Sequence, residues 1–324
     1  MSVASGAAAL ATRETHGSAA SLPTPGAARD LSAVVLPAAR MDRAHAENFP
    51  VALRLLPARE RRHLLAIYGF ARLCDDLGDE AEGDRPALLD ALEDELDRAY
   101  AGTARHPDLT RLAAALREVP LPAEPFRRLL EAGRRDQRIT RHPTWADLRE
   151  SCAYSADPVG ELVLHVFGAA TPERLRRSAS VCTALQVLEH CQDVAEDFAN
   201  GRLYLPTEDL VRSGCDERAL TATVASPELR RAIAMQVDRA AALLEDGAPL
   251  VASLRGAARL AVAGFVAGGR AVVDALRRIE HDVLAHPAPR PRRRDVVRHA
   301  ARLLVDAARG RAAVDGASAA EGTR

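Results

Sequence analysis

No stretch of this chain alternates apolar and polar residues with a period of two for long enough to build a strand. From residue 43 to about 285, apolar side chains recur at helical spacing instead, and the pattern stops and restarts at proline and glycine. That single feature excludes sandwiches, barrels and parallel sheets and leaves helix packed on helix. The spacing predicts helices over 58–80, 85–100, 108–118, 123–138, 145–154, 158–169, 172–199, 227–246 and 252–284. Breaks fall at "HPDLT", "VPLPAEP", "RHPTWAD", "ATPE" and "ASPE", several beside an N-cap-type residue. After "AHPAPRPRRRD" a last helix is expected over "VVRHAARLLVDAA". With only 3% aromatic residues, the core must be filled by Ala, Leu and Val, which suits close helix–helix approach. The expectation is an all-α fold: one domain over 41–309, between a disordered leader (1–40) and a disordered tail (310–324).

The formal net charge of −1 creates no global field for nucleic acid. Five cysteines, odd in number and without CxxC spacing, read as small buried hydrophobes in a reducing, cytoplasmic compartment. No run of 18 apolar residues is present to span a membrane. The leader is rich in Ala, Ser and Gly and lacks a basic n-region followed by an apolar h-region, so no signal peptide is expected.

Local energetics go wrong at "CDDLGDE" (74–80). If the helix continues through it, Asp75 and Asp79 share one face at i and i+4, and Asp76 and Glu80 the next. Each like-charge pair costs roughly 0.2–0.5 kcal/mol, and Gly78 about 1 kcal/mol against alanine. Water or a bound cation must compensate.

A second acidic site lies in "QVLEHCQDVAEDFANGRLYLP" (186–206), where Glu189, Asp193 and Asp197 follow one another at i, i+4 and i+8. Acid pairs at that spacing arise about six times by chance in a chain like this, so either site alone says little. The helix around the second is otherwise apolar (Val181, Ala184, Leu185, Val187, Leu188, Val194), which marks it as buried. Two aspartate-bearing helices facing each other form an oxygen-only cage that suits Mg²⁺ rather than zinc. Mg²⁺ shares its sphere with phosphate oxygens, so the implied ligand is a phosphate or diphosphate. Arg72, three positions before Asp75, either reaches those phosphates or pairs with Asp75 along the helix.

"HAENFPVALRLLP", "IYGFARLCDDLGDE", "SADPVGELVLHVFG" and "LQVLEHCQDVAEDFANGRLYLP" together resemble the squalene/phytoene synthase family, and within it the hydroxysqualene synthases of the hopanoid pathway. The likeness extends over roughly residues 42 to 305, with the motifs in the family's order. It implies an isoprenoid-synthase bundle around a central cavity. The first aspartate-rich motif falls on Asp75, Asp76 and Asp79 and the second on Asp193 and Asp197, both facing that cavity with Mg²⁺ and diphosphate. It further implies substrate roles for Tyr68, Arg72, Gln186, Arg202 and Tyr204. Three departures stand out. A Ser-rich stretch of the family reads His45-Ala46-Glu47-Asn48-Phe49, leaving Asn48 and Phe49 as substrate contacts. Gln192 stands where an arginine is usual, as in the hydroxysqualene branch, and Glu189 replaces an asparagine even of that branch.

With few phosphate donors, ionising one assembled prenyl diphosphate is favoured over condensing two. The implied substrate is presqualene diphosphate, whose cation is captured by water. The alternatives are a squalene or presqualene diphosphate synthase acting on farnesyl diphosphate, and a non-catalytic assembly factor of the same fold. Glu189 is read as an extra metal ligand, as a carboxylate that positions the quenching water, or as a bystander. Phe49, Tyr68, Phe70 and Phe167 are candidates for cation–π lining, Phe70 and Phe167 equally for core. His165 and His190 are read as satisfied core histidines and Cys191 as packing. The "PRPRRR" run is either a solvated linker or a contact for anionic lipid at a peripheral membrane surface. Neighbouring squalene-pathway enzymes are possible partners.

Overall fold

The computed structural model describes Leu31 and residues 56–287 and 289–321, with side chains up to residue 309 apart from Glu80. Helix α1 (Ala58–Asp75) runs into a five-residue π turn (Asp76–Glu80). Then come α2 (Arg85–Tyr100), α3 (Pro107–Glu118), α4 (Ala123–Asp136), α5 (Trp145–Ser155) and α6 (Asp157–Val166). The long α7 (Pro172–Gln192) is followed by the short α8 (Val194–Ala199) and α9 (Thr207–Ser213). A 3₁₀ turn at Glu217–Thr221 precedes α10 (Pro227–Gly247), α11 (Pro249–Ser253), α12 (Gly256–Arg278) and α13 (Arg293–Glu321). Among the described residues the only β pairing is a single parallel bridge, Arg141 with Leu203. The fold is all-α, as the missing period-two pattern requires.

Helix starts sit where the sequence signals them, because each signal satisfies a backbone N–H that the helix leaves open. Thr144 accepts from Asp147 N while the Asp147 carboxylate accepts from Thr144 N, a reciprocal cap on α5. Thr171 and Ser226 cap α7 and α10, each with proline in the first turn.

Two apolar clusters form the core. One gathers α1 to α4 around Phe70, Leu92 and Phe126, with Leu162 and Val163 of α6. The other gathers α5 and α7 to α13 around Leu188, Ile233 and Val266. Phe167 and Phe265 pack against both clusters. Small residues set the helix spacing. A Cβ on Gly160 of α6 would lie 2.4 Å from both Cys182 Sγ and Ser178 Oγ of α7, so only glycine lets these helices approach so closely.

The structure redraws several boundaries. The helix expected over 172–199 bends at Asp193 (φ −102°, ψ 12°), which ends α7 and opens α8. The helix expected over 252–284 is α12, with the separate α11 before it, and α9 was not foreseen. The last helix runs to Glu321, into the stretch expected as a polar tail. Helix α12 is long and apolar enough to cross a membrane by composition, yet 56% of its most apolar window is buried in the protein, which makes it a core helix here. Asn48 and Phe49 lie outside the described residues, as does the leader expected over 1–40 apart from Leu31.

Candidate functional site

The two acidic stretches belong to opposite halves of the core: one ends α1, the other spans the α7–α8 bend. At the first, α1 widens so that Ala81 N donates to Asp76 O (2.9 Å), five residues back. The Gln137 side chain just beyond α4 donates to the Gly78 carbonyl inside that turn (2.9 Å) and holds it against α4. Asp76 is buried and ion-paired with Arg72 (Nε–Oδ1 3.2 Å). Arg72 thus has a helix partner in Asp76, an acid expected as a metal ligand, and Asp75 and Asp79 follow on the neighbouring face. Tyr68 lies half-buried on α1, one turn before Arg72.

At the second stretch the bend leaves the ladder intact: Asp193 N donates to Glu189 O and Asp197 N to Asp193 O, both at 2.9 Å. Glu189, Asp193 and Asp197 therefore keep their one-turn spacing. Burial, then Asp197 and Glu196, pushes the Asp193 carboxyl up to about 7. Burial, then Asp193 and Asp75, pushes Glu189 far above the carboxylate range. Asp75 is raised likewise, by burial and by its neighbours Asp79 and Asp76. Asp75 acts on Glu189 across the molecule, so the two acid stretches face each other.

A direct bond joins the halves. Arg202, just after α8, donates from Nη1 to Asp79 Oδ1 at 2.7 Å. The segment that carries Arg202 is fixed by Leu203 N donating to Thr140 O (2.9 Å) and Arg141 Nη1 donating to Gly201 O (2.8 Å). Tyr204 follows with its ring stacked on His190 (centroids 3.7 Å, 9°) and near His142 (5.5 Å, 24°). His190 Nδ1 is 3.8 Å from Asp197 Oδ2, and Gln186 Nε2 is 3.3 Å from His190 Nε2. His190 is therefore buried, as the sequence indicated, but lies against the site. Gln186 is buried and serves His190.

Other expectations divide. Gln192, expected as a substrate contact, donates its amide to the Pro289 carbonyl (3.0 Å) and ties α7 to the linker before α13. Phe70 is fully buried, edge-on to Phe126 (5.0 Å), so it is core and does not line the site. Cys191 is fully buried packing. His165 is only half-buried, 3.9 Å from Glu161, and so is not a core histidine.

Sequence reasoning missed Asp136, His142 and Gln137. Asp136 is the last residue of α4, buried, with Oδ2 bonded to nothing, and burial pushes its carboxyl up to about 6. A carboxylate is disfavoured at a helix C-terminus, and that was the one signal available in "EAGRRDQRITRHP".

The donors facing the site are carboxylate oxygens, several held above their ordinary pKa by one another, which fits a hard divalent cation. Among the described residues no three Asp, Glu, His or Cys side chains are arranged to hold an ion by themselves. A bound ion would need further oxygens, which water and a phosphate supply.

Comparison with known proteins agrees with this arrangement. A profile described as squalene/phytoene synthase matches residues 42–317. The hydroxysqualene synthase of Rhodopseudomonas palustris is 35% identical over 213 residues, 64% of this chain and 72% of that protein. The crystal structure of squalene synthase HpnC from Alicyclobacillus acidocaldarius superposes with a TM-score of 0.70 and 46% identity, covering 75% of this chain and 92% of that one. A dehydrosqualene synthase in complex with ligand gives a TM-score of 0.74 at 24% identity, covering 82% and 93%, a likeness of fold.

Proposed function

The chain belongs to the squalene/phytoene synthase family of isoprenoid synthases, and on that premise we propose that it converts presqualene diphosphate to hydroxysqualene. The observation that carries this reading is the Arg202–Asp79 bond, which joins the stretch of Asp75 and Asp79 to the chain that follows Glu189, Asp193 and Asp197. A divalent cation, when bound, supplies charge neutralisation to the departing diphosphate. Asp75, Asp79, Asp193 and Asp197 are the residues that would hold it. Glu189, within reach of Asp75 and Asp193, strengthens that hold and so takes the first of its three readings.

Among the described residues, the positive groups expected at the site are already engaged. Arg72 is paired with Asp76, Arg202 with Asp79, and the position where the family usually has arginine is Gln192, occupied with Pro289. This supports ionisation of one assembled diphosphate over condensation of two. Lipid-soluble substrate and product also suit contact with anionic headgroups through the exposed Arg292, just ahead of α13, and Arg293 and Arg294 in its first turn.

The test is substrate feeding. Purified protein receives presqualene diphosphate or farnesyl diphosphate, with Mg²⁺ and with or without NADPH, and products are separated by gas chromatography. Hydroxysqualene from presqualene diphosphate without NADPH is the expected result. Consumption of farnesyl diphosphate would assign one of the condensing activities, and no diphosphate release from either substrate would favour a non-catalytic role.

A further inference from the structure

Two polar atoms near the site are buried and without a hydrogen bond among the described residues: Asp136 Oδ2 and Tyr204 Oη. Their residues are 6% and 4% exposed. Leaving such atoms dry is costly, so each is expected to meet a water or a substrate group. They belong to one place. Tyr204 is held beside the chain that leaves α4, through Leu203 N on Thr140 O, four residues after Asp136. Among the charges acting on the Tyr204 phenol, Asp136 is the strongest and Arg202 the next. Asp136 also lines a crevice with Asp75, Gly78, Asp79 and Gly133 that has ≈ 10 Å³ of room, about the least that one water needs.

Neither atom is free to turn elsewhere. The Tyr204 ring is stacked on the His190 ring with the His142 ring also near it, which limits how its hydroxyl can move. The nearby cation, Arg202, is engaged with Asp79. A phenol donor and a carboxylate acceptor together match a water: its oxygen accepts from Tyr204 O–H, and one of its hydrogens goes to Asp136 Oδ2. The second lone pair of that water stays available.

We infer that Asp136 and Tyr204 hold the water that captures the carbocation, an inference that rests on the hydroxysqualene reading above. The cyclopropylcarbinyl C–O bond breaks first, its electron pair leaves with diphosphate, and the resulting cation rearranges with ring opening. The free lone pair of the held water then forms the new C–O bond to the cationic carbon. The proton released from that water passes to Asp136 Oδ2, its O–H electrons staying on oxygen. Charge and atoms balance without NADPH. Glu189, drawn toward Asp75 and Asp193, serves the diphosphate end instead.

The test gives presqualene diphosphate and Mg²⁺ to the full chain and to the Tyr204→Phe and Asp136→Asn variants, measuring diphosphate release and product composition separately. Tyr204→Phe keeps the stacked ring and removes only the hydroxyl. Expected is diphosphate release within about tenfold of the parent, with the hydroxysqualene share falling about tenfold or more as proton-loss hydrocarbons replace it. An unchanged hydroxysqualene share in Tyr204→Phe overturns the inference, and that variant decides alone if Asp136→Asn does not fold. Loss of diphosphate release with the product ratio unchanged overturns it too, since the pair would then serve ionisation. If the parent itself releases no diphosphate, or yields no hydroxysqualene, the functional reading fails and the water site falls with it, an outcome read from the parent alone.

Discussion

Asp75 and Asp193 stand on opposite walls of the site, each held above its ordinary pKa by burial and by neighbouring carboxylates. Replacing either with alanine is expected to abolish turnover while leaving the protein folded. Relief of like-charge repulsion contributes about 0.2–0.5 kcal/mol of added stability per pair removed. Diphosphate release alongside thermal unfolding checks this, and full activity with an unchanged Mg²⁺ requirement in either variant would remove the two-walled site. Glu189→Asn should raise the Mg²⁺ concentration for half-maximal rate and leave hydroxysqualene the product. A shift to proton-loss hydrocarbons at constant metal requirement would instead make Glu189 the residue that positions water. The four aspartates were legible in the sequence because one-turn spacing is a local property. Asp136, His142 and their meeting with Tyr204 were not, because they come together through contacts between residues 62 and 63 positions apart (Arg141 to Leu203 and Thr140 to Leu203), which no local pattern encodes.

Among the elements, the π turn after α1 and the bend at Asp193 depart from ordinary α geometry and carry the acids. Helical periodicity marks where the acids lie but not these adjustments, since a single π turn shifts the pattern by only about one residue. α6 makes a separate prediction. Its Asp157 accepts from the Thr183 hydroxyl (3.0 Å), and burial, opposed by that bond, pushes its carboxyl up to about 6. From about pH 4 to pH 6 the folded protein holds a proton that the unfolded chain has released, so stability falls as pH rises through that window. Asp157→Asn should therefore gain about 1–3 kcal/mol over the parent at neutral pH and almost nothing near pH 3.5. Urea denaturation at the two pH values measures it, and an equal gain at both would rule out titration of Asp157 as the cause.

For the whole molecule, the site lies where two apolar clusters meet, with few bonds between its walls. A cation that binds both walls acts on the folded protein alone. Mg²⁺ with diphosphate at about 100 times their dissociation constant should raise stability by about 2.7 kcal/mol, a Tm rise of roughly 4–5 °C at this size. Sodium chloride at equal ionic strength should give no comparable rise, and Asp75→Ala should lose it; a rise that survives in that variant would place binding elsewhere. One bond already spans the gap, Arg202 on Asp79. The protein at rest is thus its own competitor. A cation arriving at Asp79 must first evict a guanidinium, so its measured affinity is the difference between two ion pairs rather than the strength of one. The magnesium concentration needed for activation is then set in part by a side chain that need never touch the metal.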